Sequence, residues 1–218
     1  MKQISDGIYE DQGTLYTENL VEGAKVYGEM LVKKDGKEYR EWIPERSKLA
    51  ASVKNKMKVV PLKEGSIVMY LGASAGTTVS HVSDIVKEKG IVYGLEFAER
   101  VFRKLAEISE QRKNIAPLYF DARMPEKYSW IEICDVVYCD IAQPDQTEIA
   151  LRNANMFLKE GGYLLVVIKA RSIDVTKDPK KLYKEEADKI EGAGYKITET
   201  VNLEPYEDSH AMIVAQRE

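Results

Sequence analysis

The chain has 218 residues, 44% of them hydrophobic, with a formal net charge of −4. That length supports one core with a small appendage. No apolar run reaches the ~18 residues of a membrane span, Met1-Lys2-Gln3-Ile4-Ser5-Asp6 lacks the apolar centre of a signal peptide, and the acidic balance argues against a free-standing nucleic-acid binder. A soluble, cytoplasmic protein is the expectation. If nucleic acid is a substrate, a partner supplies much of the grip.

Residues 1–55 read as a small β-rich domain. Short strands are predicted at Gly7 to Asp11, Thr14 to Glu18 and Val26 to Val32. Asp35-Gly36 carries the signal of a tight hairpin into Glu38 to Ile43. Pro44 to about Met57 then reads as a helix, with proline in its first turn and an apolar stripe of Leu49, Ala50, Val53 and Met57.

Residues 56–218 alternate strand and helix. The segment Ile67-Val68-Met69-Tyr70-Leu71-Gly72-Ala73-Ser74-Ala75-Gly76-Thr77-Thr78 is the most informative. An apolar run stops at a glycine, a loop of small residues follows, and a helix opens. In an α/β sheet such a turn lets a ligand lie against bare backbone at a helix N-terminus. The next apolar run, Ile91 to Leu95, ends in Glu96. Glu96 stands 24 residues after Gly72, near the roughly 20 expected between a glycine loop and a ribose-holding acid. An adenosine-type cofactor is therefore expected. The loop is neither G-x-G-x-x-G nor followed by G-K-[ST], which disfavours dinucleotide and P-loop readings.

Further strands are predicted at 116–120, 135–139 and 163–168, with helices near 77–88, 98–110, 145–158 and 179–192. This alternation predicts a parallel sheet covered on both faces. Cys134 and Cys139 flank one of these strands. Two cysteines cannot build a zinc site, so they read as small core hydrophobes, and no metal site is expected. The last two strands, Tyr195 to Leu203 and Ala211 to Gln216, are joined by only Glu204 to Ser209. A parallel crossover needs about a dozen residues, so these two strands must be antiparallel. A parallel sheet closed by one reversed strand is the architecture of class I S-adenosylmethionine methyltransferases.

Ligands of such a sheet lie beyond the carboxyl ends of its parallel strands. Asp140 and Lys169 follow two of them, and His210 opens the reversed strand on the same rim. Each has an ordinary alternative: Asp140 as a helix cap, Lys169 as the first solvated residue, His210 as a strand end. His81 reads as packing rather than chemistry. Glu96 is a candidate for both ribose hydroxyls, with Phe97 beside an adenine ring or in the core. Asp121-Ala122 offers an acceptor for the adenine amino group and room for the ring. Thr77 and Thr78 either cap their helix or contact the methionine part of the cofactor.

Three runs carry a family resemblance: Gly72 to His81, Tyr93-Gly94-Leu95-Glu96-Phe97, and Asp140-Ile141-Ala142-Gln143-Pro144-Asp145-Gln146. They resemble fibrillarin, in its archaeal form without the Gly/Arg-rich N-terminal extension. The likeness covers nearly the whole chain, including Arg46-Ser47-Lys48-Leu49-Ala50-Ala51. It implies an S-adenosyl-L-methionine-dependent RNA 2′-O-methyltransferase. Cofactor contacts would fall on the loop of Gly72, Ala73 and Gly76, on Thr77-Thr78, Glu96-Phe97 and Asp121-Ala122, and on Asp140, Ile141, Ala142 and Gln143. The family's Lys-Asp-Lys-His set maps onto Lys48, Asp140, Lys169 and His210. The resemblance also implies work within a box C/D ribonucleoprotein. Its other parts would be a Nop-domain scaffold protein, a kink-turn-binding protein of the ribosomal type and a guide RNA that selects sites in rRNA and tRNA.

Overall fold

Alternating apolar residues near the start of the chain build a five-stranded antiparallel sheet in the computed structural model, which describes residues 1–218. Its strands are β1 (Lys2–Ser5), β2 (Ile8–Asp11), β3 (Thr14–Glu18), β4 (Leu31–Lys34) and β5 (Lys37–Glu41), in the order β1-β2-β3-β5-β4. Asp35 and Gly36 both take positive φ, 53° and 75°, and turn β4 into β5 as their sequence predicts.

Two expectations fail in this region. The strand predicted at Val26 to Val32 begins only at Leu31. The Glu29 carboxylate accepts from the amides of Val26 and Tyr27, at 2.9 and 2.8 Å, and curls the backbone into a turn. The predicted helix from Pro44 to Met57 is broken in two. Pro44–Arg46 forms a 3-10 turn, Ser47 is extended, and α1 runs only over Lys48–Lys54. Ser47 accepts from the Ala50 amide as an N-cap, so its hydroxyl competes with a continuous helix. Lys48 consequently sits at the start of a helix rather than inside one.

The second sheet follows from β6 (Ile67–Leu71), α2 (Thr77–Val86), β7 (Ile91–Leu95), α3 (Glu99–Gln111), β8 (Ile115–Leu118), β9 (Cys134–Cys139), α4 (Gln146–Phe157), β10 (Leu158–Lys169), α5 (Ala170–Ile173), α6 (Pro179–Gly192), β11 (Tyr195–Asn202) and β12 (His210–Arg217). Seven strands lie in the order β11-β12-β10-β9-β6-β7-β8. Only β12 is reversed, pairing antiparallel with both β10 and β11. The sheet is the class I methyltransferase type that the short final connection predicts. β8 stops at Leu118, before the expected end at 120, so Asp121 is carried on a loop. β10 begins five residues earlier than the predicted 163, across an irregularity in its pairing with β9 that contains Gly161 at φ 70°.

The central strands are apolar on both faces, as parallel strands between helices must be. Met69, Leu71, Val137, Leu164 and Val166 face α4 and α6. Val68, Tyr70, Val136, Leu165 and Val167 face the other side. There they join Val79 and Val82 of α2 and, from the small sheet, Ile8, Leu15 and Trp42. Cys134 and Cys139 are buried and unbridged, and burial pushes both thiols up to about 12, which makes them inert core residues.

A buried ionic cluster ties the small sheet to α2. Arg40, without solvent exposure, donates to Glu29 and to Asp84, each at 2.8 Å. Arg112 donates to the other Asp84 oxygen. The Thr17 hydroxyl gives its proton to Asp84 and lies 2.7 Å from Nδ1 of His81. Burial, then the positive Arg40 and Arg112, drive the His81 pKa well below its usual value, so the ring is neutral. His81 is thus packing, as its sequence context predicts.

Candidate active site

The carboxyl ends of β6, β7, β8 and β9 surround one cavity of about 280 Å³. Gly72 leaves β6 at φ 80°, and its amide and that of Ala73 both donate to the Leu95 carbonyl. Ser74 follows at φ 50°, and its amide donates to Glu96 Oε2 at 2.9 Å. The Ala98 amide donates to Oε1 at 2.8 Å. One bond on each oxygen fixes the carboxylate plane. It leaves a lone pair on each oxygen for a ligand carrying two adjacent hydroxyls.

The cavity wall contains Gly72, Glu96, Phe97, Asp121, Ala122, Asp140, Ile141, Ala142, Gln143 and Lys169 from the sequence-derived set. Phe97 is 55% exposed, so its ring is available as a surface rather than a core filler. Leu95, Phe120, Ile141 and Ile149 make the wall apolar elsewhere.

Ala73, Gly76, Thr77 and Thr78 lie off this wall. Ala73 is buried in the core. A side chain on Gly76 would meet Ile108 at 2.8 Å, so this glycine serves close packing of α2 against α3. Thr77 begins α2, and its carbonyl accepts from the Ser80 hydroxyl. Thr78 donates to the Ser47 hydroxyl at 3.0 Å, which ties α2 to the start of α1.

Charged groups gather beside the cavity. Lys169 Nζ lies 2.7 Å from Asp140 Oδ1 and donates to the Asp140 carbonyl at 2.9 Å. Lys48 Nζ lies 3.6 Å from Asp140 Oδ2 and 3.5 Å from Glu207 Oε1. These four side chains are between 13% and 26% exposed. Their interactions are screened much less than those of surface pairs. His210 is the direct cross-strand partner of Lys169, and its Nδ1 lies 2.6 Å from the Asp208 carbonyl. Tyr70 and Tyr138 stack at 4.4 Å. Burial chiefly, and the negative Asp140 in addition, push both phenols far up, so they remain protonated.

Three contributors escape sequence reading. Ser74 is a loop serine whose role lies in its backbone amide. Arg123 pairs with Asp145 at 3.0 Å and donates to Gln143 at 2.9 Å, closing one side of the cavity. Glu207 sits in the short connection between β11 and β12, where a solvated acid is the default. None carries a local signal, because each acts through a partner remote in sequence.

A cavity with a pre-oriented carboxylate, an apolar slot and a lysine–aspartate pair at its edge suits an adenosine-type ligand and a nucleophile that must lose a proton. A family model described as Fibrillarin matches residues 2–218. The chain belongs to the fibrillarin family. A curated relative named fibrillarin-like rRNA/tRNA 2′-O-methyltransferase, from Saccharolobus islandicus, is 51% identical over 215 residues, 98% of this chain and 91% of that one. The crystal structure of Aeropyrum pernix fibrillarin in complex with natively bound S-adenosyl-L-methionine is 48% identical. It has a TM-score of 0.86, covering 93% of this chain and 88% of that one. The fibrillarin of a crystallised fibrillarin/Nop5p complex is 43% identical, with a TM-score of 0.91 and full coverage of both chains. Of the four residues expected from the sequence to form the catalytic set, Lys48, Asp140 and Lys169 are joined by ion pairs, and His210 stands opposite Lys169 across the strands.

Proposed function

We propose that this fibrillarin-family chain is an RNA 2′-O-methyltransferase. It transfers a methyl group from S-adenosyl-L-methionine to riboses of rRNA and tRNA, as the catalytic subunit of a box C/D guide ribonucleoprotein. One observation carries the reading: the Lys169–Asp140 ion pair lines the same cavity as Glu96.

The residues fit the cofactor. Glu96 has two free lone pairs for ribose hydroxyls, Phe97 and Ile141 offer apolar surface to a ring, and Asp121 offers an acceptor beside the small Ala122. The absence of a side chain at Gly72 keeps the β6 and β9 ends close. The loop of Ala73, Gly76, Thr77 and Thr78 shapes this wall from behind, and Ala142 and Gln143 border it. When bound, the cofactor supplies an electrophilic methyl group on a positively charged sulfur.

The acceptor hydroxyl is a weak acid, so charge building on its oxygen must be stabilised. Lys169 donates to the Asp140 carbonyl and forms an ion pair with its carboxylate at 2.7 Å. Its ammonium has further N–H groups for the incoming 2′-oxygen. Asp140 aims Lys169 and borders the cofactor cavity, which places donor and acceptor side by side. Lys48 and His210 flank the pair and hold the ribose and its phosphate. The remaining rate comes from holding the two reactants in line.

A Nop-domain scaffold protein is the direct partner, supported by the relative crystallised with Nop5p. A kink-turn-binding protein of the ribosomal type and the guide RNA complete the assembly, and base pairing to the guide selects the nucleotide. The net charge of −4 agrees with an enzyme that leaves most of the RNA grip to its partners.

The test is tritiated methyl transfer from S-adenosyl-L-methionine to a guide-paired RNA. It is run with this chain alone and with scaffold, kink-turn protein and guide added. Label at one 2′-hydroxyl in the assembled mixture is the expected result. Cofactor binding without label in either mixture would shift the reading to another methyl acceptor.

A further inference from the structure

Lys48 is ion-paired with two carboxylates but hydrogen-bonded to neither. Its Nζ stands 3.6 Å from Asp140 and 3.5 Å from Glu207, both outside ordinary hydrogen-bond length. It is balanced between two anions. Without Glu207 the cluster holds two lysines against one aspartate, and both compete for the same carboxylate. With Glu207 the charges alternate, Lys169, Asp140, Lys48, Glu207, and sum to zero.

The chain secures this arrangement from two directions. The Glu207 amide donates to the Leu203 carbonyl at 3.1 Å, fixing the residue to a fully buried anchor. At the far end of α1, Asn55 donates to the carbonyls of Asn202 and Glu204, at 2.7 and 2.9 Å. The helix that carries Lys48 and the connection that carries Glu207 are therefore tied at both ends of the helix. Nδ1 of His210 is engaged by the Asp208 carbonyl instead.

We propose that Glu207 is a positioning residue for methyl transfer. It draws Lys48 off Asp140, which leaves the Asp140 carboxylate to Lys169 and keeps the Lys48 ammonium free for the RNA ribose-phosphate. Glu207 does not line the cofactor cavity and acts through Lys48. The inference rests on the methyltransferase reading above.

The experiment uses the assembled ribonucleoprotein with wild type, Glu207→Gln, Glu207→Asp, Lys48→Met and the double variant Glu207→Gln/Lys48→Met. Glu207→Gln is expected to lower kcat about tenfold, the scale of one charge-assisted contact, with cofactor affinity and melting temperature as in wild type. Glu207→Asp is expected to recover part of the loss. In the Lys48→Met background the Glu207→Gln change is expected to cost nothing more, because its route of action is gone. Wild-type kcat in Glu207→Gln overturns the proposal. So does a loss that multiplies with that of Lys48→Met, or one that comes with a lowered melting temperature, since both describe a merely structural carboxylate. A wild-type assembly that labels no 2′-hydroxyl defeats the methyltransferase reading itself, and the two failures are thereby distinct.

Discussion

A methyl group on Gly72 would stand 2.8 Å from the carbonyl oxygen of Asp140. That carbonyl also accepts from Lys169 Nζ at 2.9 Å. The first residue of the cofactor loop and the hydrogen-bonding of the proposed catalytic lysine therefore depend on the same atom.

Gly72→Ala is expected to impair both functions. The residue sits at φ 80°, where a side chain is strained by roughly 1–3 kcal/mol. The new Cβ must also push the β6 and β9 ends apart. Calorimetry should show weakened cofactor binding, and methyl transfer should fall further than binding alone explains. A variant with wild-type binding and turnover would remove the argument that this close approach matters.

Lys169→Ala is expected to reduce methyl transfer by about 10²–10³-fold, the scale for losing one donor to a developing oxyanion. The fold should survive, because Lys169 is at a strand end and its backbone pairing with His210 is retained. Asp140→Ala should cost at least as much, since it releases both Lys169 and Lys48. Single-turnover transfer in the assembled complex measures each, with circular dichroism as the check on folding. Wild-type-like turnover in either variant refutes the role given to that residue.

Glu96→Ala is expected to weaken cofactor binding by roughly 10- to 100-fold, the ~1.5–3 kcal/mol of hydrogen bonds to a charged group. Glu96→Gln should be intermediate. Its amide nitrogen cannot accept, and the Ser74 and Ala98 amides already occupy both sides of the group. Titration calorimetry decides. Equal affinities for all three proteins would place the ligand elsewhere in the cavity.

Stability should fall as the pH drops through His81's unfolded value of about 6.5. The unfolded chain binds a proton there and the folded chain does not, because burial, Arg40 and Arg112 oppose it. Asp84 lies 4.0 Å from Nδ1 but is already committed to both arginines, Thr17 and Tyr27 meet the two ring nitrogens, and Trp42 stacks on the ring. The loss is up to ~1.4 kcal/mol per pH unit below that point, continuing until the folded pKa is reached. Urea unfolding at pH 7.5 and 5.5 measures it. His81→Gln should be less stable overall yet show a flatter pH dependence. The same slope in wild type and variant would assign the effect to other groups.

Much of the fold was legible because its signals are local. The apolar run into Gly72 and the small-residue loop announce β6 and α2. The six residues from Glu204 to Ser209 admit only a reversed strand. Where sequence reading fell short, the deciding contact is distant. Glu29 turns the backbone because Arg40 buries it, and Ser47 breaks a helix that its neighbours favour. β1, Lys-Gln-Ile-Ser, is mostly exposed and owes its conformation to pairing with β2 rather than to any alternation of its own. The site divides the same way. Glu96, Asp140 and Lys169 end strands and could be placed from topology, whereas Glu207 and Arg123 lie in loops whose course no periodicity describes.

β12 is the last strand in chain order, yet it lies inside the sheet, between β10 and β11. A nascent chain on the ribosome therefore exposes one open side of β10, and has no neighbour for β11, until residues 210–217 have emerged. His210 arrives beside Lys169 only at that moment. The rim that carries Lys169 and His210 is completed only when β12 inserts between β10 and β11.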